Sequence, residues 1–159
     1  MNRLVLPAVL GAAAVVATAC GSGTSLYGGG PPPSPPPTAA AGVAVSIGNS
    51  SLGPLLVDGN GRTLYLFEAD TSGSSTCYRA RAQAWPPLVA NGAPRAGTGI
   101  TTSELGTIRR NDGTTEVTYA GHPLYSYVGD ARPGDITGQA LNQFGAEWYV
   151  VGPGGSKIN

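Results

Sequence analysis

The sequence predicts an all-β fold, a compact domain of two related hairpin-rich repeats with little or no helix. Three observations carry that expectation. Short apolar runs alternate with turns rich in Gly, Asn and Asp. Residues 61–70 (GRTLYLFEAD) line up with residues 121–130 (GHPLYSYVGD). No window of helical length in the domain that follows the N-terminal segments shows a convincing 3.6-residue period.

The chain begins with segments that lie outside this domain. Arg3 precedes an apolar stretch over residues 4–16, and Ala17-Thr18-Ala19-Cys20 follows it. This is the layout of a secretory signal closed by a lipobox, so residues 1–19 are expected to be removed and Cys20 to carry the lipid. A transmembrane helix over residues 4–19 fits less well. The stretch is short of the roughly 20 residues that span a bilayer, and no basic cluster follows it. The expected location is the extracytoplasmic face of the cell membrane, with membrane lipid, palmitate included, as the anchoring partner.

Residues 20–42 hold no charge and almost no bulky apolar side chain. Gly and Ser loosen the first part, while prolines at 31–33 and 35–37 favour extended polyproline II. Such a stretch buries too little surface to fold and reads as a tether. At ~3 Å per extended residue it reaches about 65 Å, enough to lift a domain clear of lipid headgroups. A competing reading makes the proline tract a ligand for a proline-recognising domain.

The domain itself is expected over residues 43–159, with repeat units at about 54–90 and 114–152. Two apolar runs, 55–57 and 64–67, flank Asp58-Gly59-Asn60-Gly61 and predict a first hairpin. Residues 107–110 and 114–119 flank Asn111-Asp112-Gly113 and predict a second. In its second arm Val117 and Tyr119 alternate with Glu116, Thr118 and Ala120, the pattern of a half-buried strand. Residues 122–127 and 147–151 read as further strands, and the best helical candidate is a turn or two near 138–144. Each copy also carries a tryptophan beyond its loop, Trp85 and Trp148.

The doubled Y-x-[FWY]-x-x-D motif stands beside Trp85-Pro86-Pro87-Leu88, Leu105-Gly106-Thr107, Val117-Thr118-Tyr119, Pro133-Gly134-Asp135, Gly138-Gln139 and Trp148-Tyr149-Val150-Val151. Together these resemble the bacterial secreted-repeat lipoproteins with a Y-x4-D motif, over nearly all of residues 54–155. The resemblance implies an envelope lipoprotein and no particular reaction. It also implies a departure: such proteins commonly carry a second cysteine just ahead of Trp-Pro-Pro, and Arg81 stands there.

Nine basic and nine acidic residues balance, and no basic block exists to bind nucleic acid. The candidate contact residues are Tyr65, Asp70, Tyr125 and Asp130. One reading caps turns with the two aspartates, each accepting backbone N–H groups just downstream, at residues 71–73 after Asp70. The other presents hydroxyls and carboxylates to a ligand or an envelope protein. Duplication predicts symmetry-related positions rather than one cleft, which fits paired acid–base catalysis poorly. His122 is the one histidine and is expected on a surface turn. No metal-ligand spacing surrounds it, and Asp130 and Asp135 lack EF-hand spacing. Cys77 is the second of two cysteines. In a Ser/Thr-rich loop near Arg79 and Arg81, it is expected to be an exposed thiol with thiolate character. No catalytic motif and no cofactor are expected. The sequence thus predicts a non-enzymatic binding or envelope-organising module. The alternative is an envelope redox protein, or one that binds a cofactor or metal.

Overall fold

A computed structural model describes residues 42–71 and 73–159; the signal segment, Cys20 and almost all of the tether lie outside them. Among the described residues nine strands form three small sheets. Strand β1 (Ala44–Ser50) turns back into β2 (Gly53–Asp58) in antiparallel register, Val45 opposite Asp58 and Ser50 opposite Gly53. Strand β3 (Tyr65–Phe67) follows, then the short helix α1 (Ala80–Ala84) and β4 (Arg95–Ala96), which pairs in parallel with β1. The second half repeats the plan. A hairpin of β5 (Leu105–Arg109) and β6 (Thr115–Tyr119) leads through β7 (His122–Pro123) to β8 (Leu141–Gln143) and β9 (Ala146–Val150).

The two repeats are interlocked. Strand β9 of the second repeat lies against β3 of the first, Tyr65 opposite Val150 and Phe67 opposite Trp148. Reciprocally, the segment after Trp85 in the first repeat runs along β6 of the second and the residues just after β7, with bridges Val89–Glu116 and Pro87–Tyr125. The backbone bonds match in kind. Leu56 N–H donates to Val151 O at 2.8 Å, as Val117 N–H does to Leu88 O at 2.8 Å. Leu64 N–H donates to Leu56 O at 2.9 Å, and Leu124 N–H to Val117 O at 3.0 Å. At the centre Tyr65 and Tyr125 exchange both backbone bonds, at 2.8 and 3.0 Å. A pseudo-two-fold axis therefore passes between these two tyrosines.

Two apolar clusters lie on this axis. One gathers Val45, Leu56, Leu64, Val117, Leu124 and Val151. The other is a column of four stacked rings, Tyr127–Trp85–Trp148–Phe67, with centroids 4.2, 4.0 and 4.1 Å apart. Tyr65 and Tyr125 meet the two tryptophans edge-on at 5.2 Å, the arrangement that ring quadrupoles favour. Symmetry relates the halves of this column, Trp85 to Trp148 and Tyr127 to Phe67.

Three local expectations need correction. The first predicted hairpin is reduced to a short contact, because β2 spends its ladder on β1 and β3 spends its own on β9. Strand β6 is buried on both faces rather than one, Glu116 and Thr118 included. Its position between β5 and the Val89 segment covers what alternation alone assigns to solvent. Residues 138–144 are not helical: a turn leads into β8, and Phe144 (φ 61°) with Gly145 (φ 92°) makes a two-residue hairpin turn into β9. The helix sits instead at α1, in the corresponding loop of the first repeat.

Candidate functional site

The spacing of the Y-x4-D motif follows from a turn. Asp70 N–H donates to Phe67 O at 3.0 Å, and Asp130 N–H to Tyr127 O at 3.2 Å. Each aspartate thus ends a turn begun by the second aromatic of its motif. Its Oδ1 then holds the loop beyond. For Asp70 the donors are the N–H and hydroxyl of Thr76, at 2.8 and 2.6 Å; for Asp130 they are those of Thr137, at 2.9 and 2.6 Å. The capped amides lie farther along than the residues just after the motif, where the sequence pointed.

The other carboxylate oxygen crosses to the opposite repeat. Tyr65 Oη donates to Asp130 Oδ2 at 2.7 Å, and Tyr125 Oη donates to Asp70 Oδ2. Both tyrosines are fully buried, and Asp70 and Asp130 are 8% and 2% exposed. Burial, then the bond to Asp130, pushes the Tyr65 phenol well above its ordinary range. For Tyr125 burial leads, followed by the charge of Glu116 and the bond to Asp70. Each hydroxyl remains a donor. The four groups, read from the sequence either as turn caps or as ligand contacts, are hydrogen-bonded to one another.

Around this shared frame the halves differ. Glu116, at 0% exposure, occupies the strand position that Leu55 holds in the first repeat. Its Oε2 accepts from Arg110 Nη1 at 2.6 Å, while Oε1 has no hydrogen-bond partner. Arg110 also donates to Ser75 Oγ, to Cys77 O and, through Nε, to Asp112 at 3.2 Å. Its guanidinium lies 4.4 Å from the Tyr78 ring centre. Ser75 Oγ lies 2.8 Å from Tyr125 Oη, joining this cluster to the Tyr125–Asp70 pair. Burial raises the Glu116 carboxyl to about 7, against the opposing pull of Arg110. The charge pattern had a signal in the sequence: an acid aligned with a buried leucine of the other repeat.

Two cavities border the linked groups, one at Ser75 and one at Asp70. One of about 340 Å³ is lined by Ser74, Ser75, Tyr78 and Asn111. Another of about 280 Å³ is lined by Phe67, Asp70, His122 and Lys157, with Lys157 paired to Glu68. His122 is half-buried at the edge of β7. Among the described residues no group of His, Cys, Asp and Glu is arranged to hold a metal ion.

Cys77 is not the exposed thiol the sequence suggested. It is fully buried, and its Sγ contacts Trp85 O at 3.4 Å. Burial pushes the thiol up to about 12, outweighing the charges of Arg110 and Arg81. Arg79, at φ 56°, is the residue just before α1. Arg81 donates to Thr76 O at 3.1 Å and lies over the Phe67 ring, 5.2 Å from its centre. Where the resemblance implied a second cysteine, this chain places a cation over the end of the aromatic column.

Fold and site together define a class: a β-domain made from two copies of one unit, joined by trans-repeat Tyr–Asp pairs. The chain belongs to a family described as a secreted repeat of unknown function, which matches residues 46–89 and 106–152. The two matches coincide with the two interlocked halves. No curated protein and no solved structure matches it. A secreted repeat accords with an extracellular or envelope location, and no described helix is long and apolar enough to cross a membrane.

Proposed function

We propose that this chain is a lipid-anchored lipoprotein of the extracytoplasmic face, acting as a non-enzymatic binding or envelope-organising module. The observation that carries the anchoring is Ala17-Thr18-Ala19-Cys20 behind an apolar segment, followed by a charge-free proline-rich tether. Membership of a secreted family supports the same direction. A binding rather than catalytic role is supported by the site itself. The conspicuous motif residues are tied into internal hydrogen bonds, and one adjacent cavity is a polar recess lined by Ser75, which is bonded to Arg110. Burial of Cys77 removes the thiol on which a redox role would rest.

The test is Cys20→Ala with detergent-phase partitioning. Wild-type chain is expected in the detergent phase and the variant in the aqueous phase, because acyl chains supply the membrane affinity. Unchanged partitioning would refute the anchor. Binding is tested separately by passing envelope extracts over the immobilised domain with and without Ser74→Trp, an exposed residue that lines the larger of the two cavities. Retention of one component by the wild type alone is the expected result.

A further inference from the structure

We infer that the two repeats are interchangeable pairing halves, so that two copies of this chain join by exchanging them across a short hinge at Gly99–Ile100. The inference goes beyond the proposed function, and its partner is a second copy of the same chain.

Each half is incomplete alone. The first repeat supplies Tyr65 and Asp70 but needs Asp130 and Tyr125 from the second to satisfy them. Its β3 has no partner strand until β9 arrives, and its Trp85 stacks on Trp148. The second repeat, in return, needs the Leu88–Ala90 backbone, through Val117 N–H to Leu88 O and Ala90 N–H to Thr115 O, both 2.8 Å. None of these contacts requires both halves to come from one chain. An exchanged dimer keeps every one of them and differs only where the chain crosses from half to half.

The crossing is narrow and well marked. Residues up to Thr98 belong to the first half, held by Arg95 N–H to Val43 O, Gly97 N–H to Val45 O and Ile47 N–H to Thr98 O, at 2.7–2.8 Å. Residues from Thr101 belong to the second, held by Thr101 N–H to Tyr119 Oη at 3.2 Å and Ala120 N–H to Glu104 O at 2.9 Å. Between them lie only Gly99 and Ile100, in a turn closed by Ile100 N–H to Gly97 O at 3.3 Å. Gly99 has φ +78°, and a Cβ there would meet Ile47 at 2.8 Å. The closed monomer therefore depends on one left-handed glycine. Straightening that turn sends the second half to another molecule, the usual route of exchange through tight hinges.

Linkage decides which form prevails. A short linker gives its two halves an effective concentration of order mM, so dilute wild-type chain closes on itself. Exchange gains ground when chains are crowded or when the closed turn is strained. Crowding on a membrane would follow from the lipid anchor and rests on that reading; the hinge argument does not.

The experiment uses the mature chain from residue 20 with Cys20→Ala, so that no lipid joins the molecules. Gly99→Val should form a dimer of doubled mass by light scattering, at a concentration at least tenfold lower than wild type. The dimer should keep the monomer's near-ultraviolet circular dichroism, since the stacked tryptophans are retained. A Gly99→Val chain that stays monomeric at mM concentration, folded or unfolded, overturns the inference. A second arm does not depend on that variant. Wild-type chain with a protease site placed between Gly99 and Ile100 is cut while folded. The two pieces should remain together, and after denaturation and dilution they should regain the folded spectrum only when mixed. Pieces that separate, or fail to recombine, likewise overturn it.

Discussion

The Asp70 half and the Asp130 half of the molecule start from the same motif and diverge one layer out. Asp130 is held by Tyr65 and Thr137, and Gly138 N–H reaches the Tyr65 hydroxyl at 3.3 Å. Around Asp70 the same tyrosine–threonine frame is extended through Ser75 to Arg110 and Glu116, with one cavity lined by Ser75 and another by Asp70. Leu55 in one half faces the role of Glu116 in the other. The difference separates what the motif builds from what a copy can add to it. The Tyr–Asp pairs join the repeats, and the buried ion pair is what distinguishes one side as a candidate site.

The largest effect should come from breaking that distinction. Arg110→Met leaves Glu116 buried and unpaired, which costs about 3–5 kcal/mol. Adding Glu116→Leu makes the second half resemble the first and should recover most of the loss. Urea unfolding of the two variants measures both steps, and a double variant as unstable as the single would show that Arg110 matters through Ser75 and Cys77 rather than Glu116.

Next come the shared pairs. Tyr65→Phe and Tyr125→Phe each strip a donor from a buried carboxylate and should cost about 3 kcal/mol. Equal losses, read from denaturation midpoints at constant slope, keep the two pairs equivalent. A much smaller loss for Tyr125→Phe would show that water reaches Asp70 from its cavity.

A pH dependence should belong to one half only. The folded chain raises the Glu116 carboxyl from 4.5 to about 7, so it binds a proton that the unfolded chain releases. That contribution is complete below the unfolded value and is lost as pH rises through about 7, a fall of about 3 kcal/mol. Thermal melts between pH 5 and 8 should show the decline, and Glu116→Gln should flatten it. A slope that survives in the variant assigns it to another group.

The smallest effect lies at the turn that only the second repeat possesses. Phe144 adopts φ 61° with 45% exposure, a conformation Asn tolerates far better. Phe144→Asn should stabilise by about 1 kcal/mol, seen as a raised melting temperature. A loss instead would mean that the contact with the Arg81 guanidinium, 5.7 Å from the ring centre, outweighs the backbone strain.

Much of the fold was legible because periodicity and turn chemistry are local. The β5–β6 hairpin, the duplication and the tryptophan of each copy could all be read from residue patterns. What escaped depended on which strand lies beside which. Glu116 looks outward by alternation, and only the Val89 segment crossing over it makes it a core residue. Cys77 sits among serines and threonines, yet its loop folds inward because Asp70 grips Thr76 immediately before it. The partner of each motif tyrosine was hidden for the same reason. Nothing in a repeat says that its aspartate serves the other copy.

That reciprocal service has a consequence for descent. Duplicated segments ordinarily gain licence to drift, since either can fail while its twin carries on. Here a change at Tyr65 is felt at Asp130, and one at Tyr125 is felt at Asp70. Neither copy can decay alone, so along the axis the pair is inherited as one trait. Novelty is left to positions away from it, such as the one where a leucine in one copy stands as a glutamate in the other.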